Sequence, residues 1–218
     1  MENPTLPCLE IGASREDADM CVILMHGLGA DGHDFADVAS VLSNAAAPRA
    51  WRFVLPHAPE QDVTINMGMR MPAWYDILDL AHPRSVNWDT VRDSEKNIAR
   101  LHEAEIAERI VLAGFSQGAA MALHVGLRHQ AEVAGILMMS GYLLDSEENP
   151  CPANSNDVPI GMFHGTRDPV VPYVAAEQSL TTLREAGYAP TLQSYEGLEH
   201  SVSEEEIRDV FEWLIGVG

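Results

Sequence analysis

Residues 109–130 read R-I-V-L-A-G-F-S-Q-G-A-A-M-A-L-H-V-G-L-R-H-Q and pass without a linker from an apolar run into a helical pattern. The apolar residues before Gly114 predict a buried strand, and the residues after Gly118 predict a helix. Between them, G-F-S-Q-G places Ser116 at a sharp bend, where two glycines let the strand and the helix approach closely. The pattern therefore predicts a strained backbone at Ser116 that pushes its hydroxyl out of the sheet.

A serine in this setting is a candidate nucleophile, although a serine before a helix is often only an N-cap. The strand before Ser116 and the helix after it favour the nucleophile, because a G-x-S-x-G bend needs both. The backbone N–H of Gln117, in the first turn of that helix, faces the place where negative charge would develop on a substrate oxygen. We expect Gln117 to supply half of an oxyanion hole.

Composition restricts the class of protein. The chain has 218 residues, of which 46% are hydrophobic, enough for one domain over 1–218. Its net charge of -20 argues against nucleic acid and anionic membrane surfaces as partners. No apolar run approaches the roughly 18 residues of a membrane span. Three widely spaced cysteines and a first segment without signal-peptide character predict a cytoplasmic protein.

Strands and helices alternate along the chain. Apolar runs predict strands at 6–11, 20–25, 51–55, 110–113, 133–139, 158–164 and 191–195. Helical patterns lie between the later strands, with Asp34 as the expected N-cap of the first helix and Ile106 on the buried side of the helix at 87–107. This order predicts an α/β fold with a doubly wound, mostly parallel sheet flanked by helices.

The loop H-G-L-G-A-D-G-H-D follows the strand at 20–25. Its glycines let backbone N–H groups face a ligand, and the N–H of Leu28 is the candidate for the second oxyanion donor. The loop also holds four residues of metal-ligand type, His26, Asp31, His33 and Asp34. Because Asp and Gly are ordinary turn residues and no further cluster completes a ligand shell, we predict no metal and no cofactor.

A serine nucleophile needs a base and an acid that orients the base. His200, in Y-E-G-L-E-H-S, follows the last predicted strand, and Asp168 follows the strand before it. Both lie in the chain order Ser, acid, His at the carboxyl ends of strands. Among the competing histidines, His102, His124 and His129 lie on predicted helices, and His26 and His164 end strands before glycine turns. Asp145 and Asp157 are alternative acids, but neither directly follows a strand.

The segment I-N-M-G-M-R-M-P-A-W-Y-D-I-L carries three methionines close to Trp74 and Tyr75. Methionine adapts to variable apolar groups, so this segment could line an acyl groove or act as a flap at about 63–80. It could equally be a methionine-rich part of the core. The residues alone leave these alternatives open.

Five blocks in the same order resemble the carboxylesterase/acyl-protein thioesterase family, also called phospholipase/carboxylesterase, of the α/β-hydrolase superfamily. They are H-G-L-G-A-D-G-H at His26, M-P-A-W-Y-D-I at Met71, G-F-S-Q-G-A-A at Gly114, H-G-T-R-D-P-V-V-P at His164 and Y-E-G-L-E-H-S at Tyr195. The resemblance covers nearly the whole chain and implies an α/β-hydrolase fold. It also makes a homodimer plausible.

The resemblance implies Ser116 as nucleophile, Asp168 as acid and His200 as base, with the backbone of Leu28 and Gln117 as oxyanion donors. It further implies an apolar acyl groove bordered by five residues, Met67, Met71, Trp74, Tyr142 and Val170. Tyr142 lies in S-G-Y-L-L, where the family often has a tryptophan in S-C-W-L-P, so the resemblance does not fix the size and shape of the groove.

The expected activity is hydrolysis of short to medium acyl esters, with acyl thioesters as an open second class. The alternatives are an acyl-protein thioesterase or lysophospholipase acting on lipidated substrates, and a non-catalytic binding protein, since the fold alone does not dictate chemistry. A peptidase is less favoured, because no long or charged cleft is indicated.

Overall fold

A mostly parallel sheet of seven strands organises the molecule. The computed structural model describes residues 6–81, 84–129 and 132–217, so the ends of the predicted domain 1–218 and residue 130 lie outside the described residues. The strands, in chain order, are β1 (Cys8–Gly12), β2 (Met20–Met25), β3 (Trp51–Pro56), β4 (Glu60–Val63), β5 (Met69–Pro72), β6 (Arg109–Phe115), β7 (Gly135–Met139), β8 (Ile160–Gly165) and β9 (Thr191–Tyr195). The helices are α1 (Ala36–Ala45), α2 (Trp88–Ala104), α3 (Gln117–Arg128), α4 (Tyr173–Glu185) and α5 (Glu204–Val217).

The strand order across the main sheet is β1-β3-β2-β6-β7-β8-β9. The edge strand β1 runs antiparallel to β3, and every other neighbouring pair in this sheet is parallel. Parallel strands need long crossovers, which the helices supply. The doubly wound α/β prediction is confirmed.

Side chains of the central strands alternate between two hydrophobic clusters, one on each face of the sheet. In β2, Cys21, Ile23 and Met25 pack on the face covered by α2, α3 and α4. Met20, Val22 and Leu24 belong to the opposite cluster, which α1 and α5 cover. A strand covered on both faces reads as a continuous apolar run, which explains why β2 was recognisable in the sequence.

Two local predictions were wrong. Phe35, not Asp34, is the N-cap of α1, and no side chain caps this helix. Asp34 lies in a turn in which its N–H donates to the carbonyl of Asp31. Helix α2 ends at Ala104, so Ile106 lies beyond it and is 60% exposed instead of facing the core.

The methionine-rich segment forms a small hairpin of β4 and β5, separate from the main sheet. The start of its turn is fixed by the buried carboxylate of Asp76, which accepts hydrogen bonds from the N–H and the hydroxyl of Thr64. Its tip carries Met67, with a positive φ of 58° and 93% exposure.

Within the described residues, no helix is both long and apolar enough to cross a membrane.

Candidate active site

The candidate catalytic residues meet at the carboxyl edge of the parallel strands. Ser116 follows β6, Asp168 follows β8 and His200 follows β9, while the loop 26–34 follows β2. Ligand sites of open α/β sheets form at this edge. The sheet therefore brings together residues that are far apart in the chain.

Ser116 lies at the junction of β6 and α3 with φ 56° and ψ -116°. A positive φ is strained for a residue with a side chain. The flanking glycines allow the bend, because a Cβ on Gly114 would collide with the backbone of Gly118, and a Cβ on Gly118 would collide with the carbonyl of Met25. The sequence prediction of a tight strand-to-helix bend at Ser116 agrees with this geometry.

A continuous hydrogen-bond chain joins Ser116, His200 and Asp168. His200 Nδ1 lies 2.6 Å from Asp168 Oδ2, and His200 Nε2 lies 3.0 Å from Ser116 Oγ. The carboxylate can only accept, so Nδ1 carries the ring proton, and Nε2 accepts from the serine hydroxyl. In this tautomer the imidazole is ready to take the serine proton.

The other oxygen of Asp168 is held by its own loop. Oδ1 accepts from the N–H groups of Val170 and Val171, each at 2.8 Å. Burial opposes ionisation of Asp168, but the hydrogen bonds from His200 and from these two amides outweigh it and lower the pKa below its usual range. The carboxyl is therefore charged and fixed in orientation.

His164 supports the same loop from below, a role that its sequence context does not indicate. Its buried Nε2 donates to the carbonyl of Val171 at 2.8 Å and lies 3.6 Å from Asp168 Oδ2. Burial lowers the pKa of His164, so the ring is neutral. The only signal in the sequence was its position at the end of a strand.

Hydrogen bonds hold the loop that carries Leu28 on both sides of this residue. His26 Nε2 accepts from the N–H of Ala58, so Nδ1 carries the proton and donates to the carbonyl of Gly27 at 2.7 Å. The N–H of Gly29 donates to the carbonyl of Pro72. Leu28, which lies between these contacts, is half-buried.

The side chain of Gln117 ties α3 to the segment after the hairpin. Its Oε1 accepts from the N–H of Trp74 at 2.8 Å, and its Nε2 donates to the carbonyl of Tyr75 at 2.7 Å. Gln117 is the first residue of α3, so its backbone N–H directly follows the bend at Ser116, which we call the elbow. Both of its side-chain hydrogen bonds are buried, so this side chain is structural.

The residues predicted to border an acyl groove occupy different positions. Met71 packs against Gly29 of the loop 26–34, and Val170 is 50% exposed beside Asp168. Tyr142 is 4% exposed, and Met67 lies at the exposed hairpin tip. Trp74 is fully buried, and its indole N–H donates to the carbonyl of His26. Trp74 thus packs beneath the loop and does not line a surface groove in this conformation.

A cleft of about 390 Å³ opens beside Tyr142. Its wall includes Arg84, Tyr142, Asp145, Glu147, Gln178 and Thr182. The Tyr142 hydroxyl lies 2.6 Å from that of Tyr75, and the Arg84 guanidinium lies 5.0 Å from the Tyr142 ring centroid. Arg84 also donates to the carbonyl of Val170 at 2.6 Å. No sequence pattern marks Arg84, because only the fold brings it to this cleft.

The structure changes the set of residues that would form a metal site at the loop 26–34. Both ring nitrogens of His26 are occupied by hydrogen bonds, so His26 is not a free ligand. The group whose donor atoms lie within 4.8 Å of one another is Asp31, His33 and His57. His57 follows β3 on a different loop, so no sequence pattern links it to Asp31 and His33.

The fold and the elbow at Ser116 are those of the α/β-hydrolase class. The model of the phospholipase/carboxylesterase family matches residues 6–216, and the chain belongs to that family. It is 38% identical over 208 residues to acyl-protein thioesterase 1 of Gibberella zeae, with 88% of each chain covered. It is 37% identical to acyl-protein thioesterase 1 of Neurospora crassa, over 95% of this chain and 90% of the relative.

A solved structure agrees with this assignment. Arabidopsis thaliana SOBER1 superposes with a TM-score of 0.79 at 26% identity, over 91% of this chain and 98% of that one. The predicted family, the α/β-hydrolase fold and the hydrolase class are confirmed. The chain is a serine hydrolase of the esterase and thioesterase type.

Proposed function

We propose that the protein hydrolyses short to medium acyl esters through an acyl-enzyme on Ser116. The observation that carries this proposal is the hydrogen-bond chain from Ser116 Oγ through His200 to Asp168, at 3.0 Å and 2.6 Å. A pure binding protein has no need of a base aligned with a strained serine. The binding-protein alternative is therefore disfavoured.

In the proposed mechanism, His200 Nε2 takes the Ser116 proton as Oγ attacks the acyl carbon. The N–H groups of Leu28 and Gln117 hold the oxyanion, and the loss of one such donor costs on the order of 3 kcal/mol in related sites. His200 then gives its proton to the leaving alcohol or thiol. Water repeats the sequence on the acyl-enzyme and regenerates Ser116.

The cleft beside Tyr142 is the proposed acyl region. Its volume of about 390 Å³ is at the small end for a ligand pocket, and Arg84 and Asp145 place two charged groups in its wall. Both features favour short to medium acyl chains over long ones. We also propose that the segment 63–80 acts as a flap in which only the exposed residues around Met67 move, because Asp76 holds Thr64 at the start of the turn.

An acyl-protein thioesterase is the second candidate, because the relatives from Gibberella zeae and Neurospora crassa carry that name. The two activities share the triad and differ in the length of acyl chain and in the leaving group. A cytoplasmic location and a homodimer also remain predictions. Light scattering after gel filtration tests the dimer.

The first test compares p-nitrophenyl esters of graded acyl length with a matched S-acyl thioester series. We expect an optimum at short to medium length in the wild type and a loss of kcat on the order of 10⁶-fold in Ser116→Ala. A fluorophosphonate should label the wild type but not this variant. Ser201→Ala, which removes an exposed serine next to His200, is the control and should keep both turnover and labelling.

Three outcomes would change this conclusion. An optimum at long acyl thioesters would favour the second candidate. Turnover by Ser116→Ala at the wild-type rate would remove the assignment of the nucleophile. A wild type that neither turns over nor reacts with the fluorophosphonate would favour the binding protein.

A further inference from the structure

Three side chains of metal-ligand type converge on the surface next to the loop that carries Leu28. Asp31 and His33 belong to this loop, and His57 directly follows β3. One donor atom of each lies within 4.8 Å of the other two, and the imidazole centroids are 5.3 Å apart. Within residues 6–81, 84–129 and 132–217, no other group of three His, Cys, Asp or Glu side chains meets this spacing.

Two imidazole nitrogens and one carboxylate oxygen are the ligand set of open Zn²⁺ sites, in which water completes the coordination. We propose that Asp31, His33 and His57 bind a divalent transition-metal ion of the Zn²⁺ type. We further propose that the bound ion slows the hydrolase by releasing the loop 26–34. This second part rests on the proposed function of Leu28.

The His33 side chain is already held next to Asp31 in the absence of an ion. Its Nδ1 lies 3.0 Å from Asp31 Oδ1, and because a carboxylate only accepts, Nδ1 carries the proton. An ion that binds both residues replaces this proton at Nδ1, and the ring proton moves to Nε2. The His33 and Asp31 side chains are 66% and 54% exposed, so a hydrated ion can reach both. The net charge of -20 attracts cations.

His57 links the metal to the loop. Its Nδ1 accepts a hydrogen bond from the N–H of Gly32 at 3.2 Å. A neutral imidazole has a single lone pair on its ring nitrogens, and this hydrogen bond uses it. An ion at Nδ1 displaces the N–H of Gly32. If the ion binds Nε2 instead, the ring proton moves to Nδ1. The N–H at Nδ1 then faces the N–H of Gly32, and the two donors repel each other. Either mode breaks the bond between Gly32 and His57.

The broken bond matters because Gly32 and Leu28 belong to the same loop. Gly32 is buried, and a Cβ on it would meet the carbonyl of Leu55, so its backbone packs closely on β3. Without the His57 contact, the loop loses the fixed point after Gly29, while the hydrogen bond from Gly29 to Pro72 remains and limits the shift at Leu28. An oxyanion donor acts through a preset position, so a displaced Leu28 N–H lowers kcat. We expect a several-fold fall in kcat on metal binding with little change in KM.

The test uses chelator-treated full-length protein, calorimetric titration with Zn²⁺, and p-nitrophenyl ester turnover in parallel. We expect one Zn²⁺ per wild-type chain and a saturable loss of kcat at the same concentrations. His33→Ala should lose both effects and keep the metal-free kcat, because His33 is exposed and outside the catalytic chain. Mg²⁺ should leave kcat unchanged, because it prefers oxygen ligands.

His129→Ala is the matched control. His129 also lies near carboxylates, 3.9 Å from Glu95 and 3.7 Å from Glu132, but away from the loop 26–34. This variant should bind Zn²⁺ and be inhibited like the wild type. If it instead loses Zn²⁺ binding, the ion occupies the cluster around His129 and the proposed site is wrong.

The remaining outcomes also decide the proposal. A wild type that does not bind Zn²⁺, or a His33→Ala variant that binds it equally well, overturns the site. Binding that leaves kcat unchanged, or inhibition that persists in His33→Ala, overturns the link to the loop. Because the titration does not depend on turnover, a protein inactive without metal argues against the proposed function and leaves the binding result intact.

Discussion

At the level of single residues, the site depends on which nitrogen of His200 carries the proton. Asp168 fixes this tautomer by accepting from Nδ1 at 2.6 Å, while two backbone amides hold its other oxygen. Asp168→Asn keeps the shape but offers an N–H to Nδ1. The imidazole then has its proton on Nε2 and cannot receive the proton of Ser116.

We therefore expect Asp168→Asn to lower kcat on the order of 10⁴-fold, as the loss of the orienting acid does in other triads. Steady-state turnover of a p-nitrophenyl ester measures this, with thermal unfolding as the check on folding. Asp145→Asn is the control, because Asp145 was the alternative acid and its carboxylate accepts from the N–H of Cys151. If Asp145→Asn is the inactive variant, the acid has been misassigned.

Glu206 gives a residue-level prediction about stability. It lies in the first turn of α5, fully buried, and its N–H donates to Ser203 Oγ. Burial raises the pKa of Glu206 to about 8, with the backbone of Ser203 opposing the shift and the charge of Asp209 adding to it. The folded protein thus holds a proton that the unfolded chain releases above its ordinary pKa of 4.5.

Because the folded state binds more protons between pH 4.5 and about 8, the stabilising contribution of Glu206 is lost as the pH rises through this window. Glu206→Gln should be more stable than the wild type at pH 8, on the order of 1–3 kcal/mol, and equal to it near pH 4. Urea unfolding at both pH values measures the difference. Glu205→Gln removes an exposed charge from the same turn. If Glu205→Gln gains as much stability, the effect comes from general charge repulsion and not from the burial of Glu206.

At the level of elements, the β6–α3 junction has no space for additional atoms. A Cβ on Gly118 would collide with the carbonyls of Met25 and His26, which belong to backbone and cannot rotate away. We expect Gly118→Ala to destabilise the fold by about 3 kcal/mol or more, the upper end for overpacking. Thermal unfolding measures the loss.

Gly216→Ala provides the comparison for this element. Gly216 lies in α5, and a Cβ there would meet nothing within 4 Å. Alanine favours a helix more than glycine does, so this variant should be at least as stable as the wild type. Equal destabilisation by the two substitutions would mean that close packing at the elbow is not the reason for Gly118.

The same packing explains which elements could be predicted from the sequence. β2 and β6 are buried on both faces and read as apolar runs, and the elbow has a local signature in Gly114, Ser116 and Gly118. The hairpin of β4 and β5 had no such signal, because E-Q-D-V and M-R-M-P pair only with each other and lack a regular alternation. The cap of α1 was misjudged because Asp34 satisfies a turn instead.

Contacts between distant loops were the other part beyond the reach of the sequence. His57 meets Asp31 only because β2 and β3 are neighbours in the sheet. Arg84 reaches Val170 across the cleft without any local pattern that marks it. Such contacts follow from strand order, which residue periodicity does not specify.

At the level of the whole molecule, 33 acidic residues face 13 basic ones. Most of this excess is on the surface, where like charges repel and oppose the compact state. The buried pair of Arg52 with Glu105, at 3.1 Å, is shielded from salt, whereas exposed pairs such as Lys96 with Asp93 contribute little. Added salt should therefore remove more repulsion than attraction.

We expect the Tm to rise by a few degrees between about 20 mM and 500 mM NaCl, since 1 kcal/mol corresponds to about 2–4 °C for a chain of this size. Scanning calorimetry measures the shift at constant pH. KCl should act like NaCl, because screening depends on ionic strength, and sulfate is avoided because it stabilises proteins by exclusion from their surface. A Tm that falls with either chloride salt would mean that attractive ion pairs outweigh the repulsion among the acidic residues.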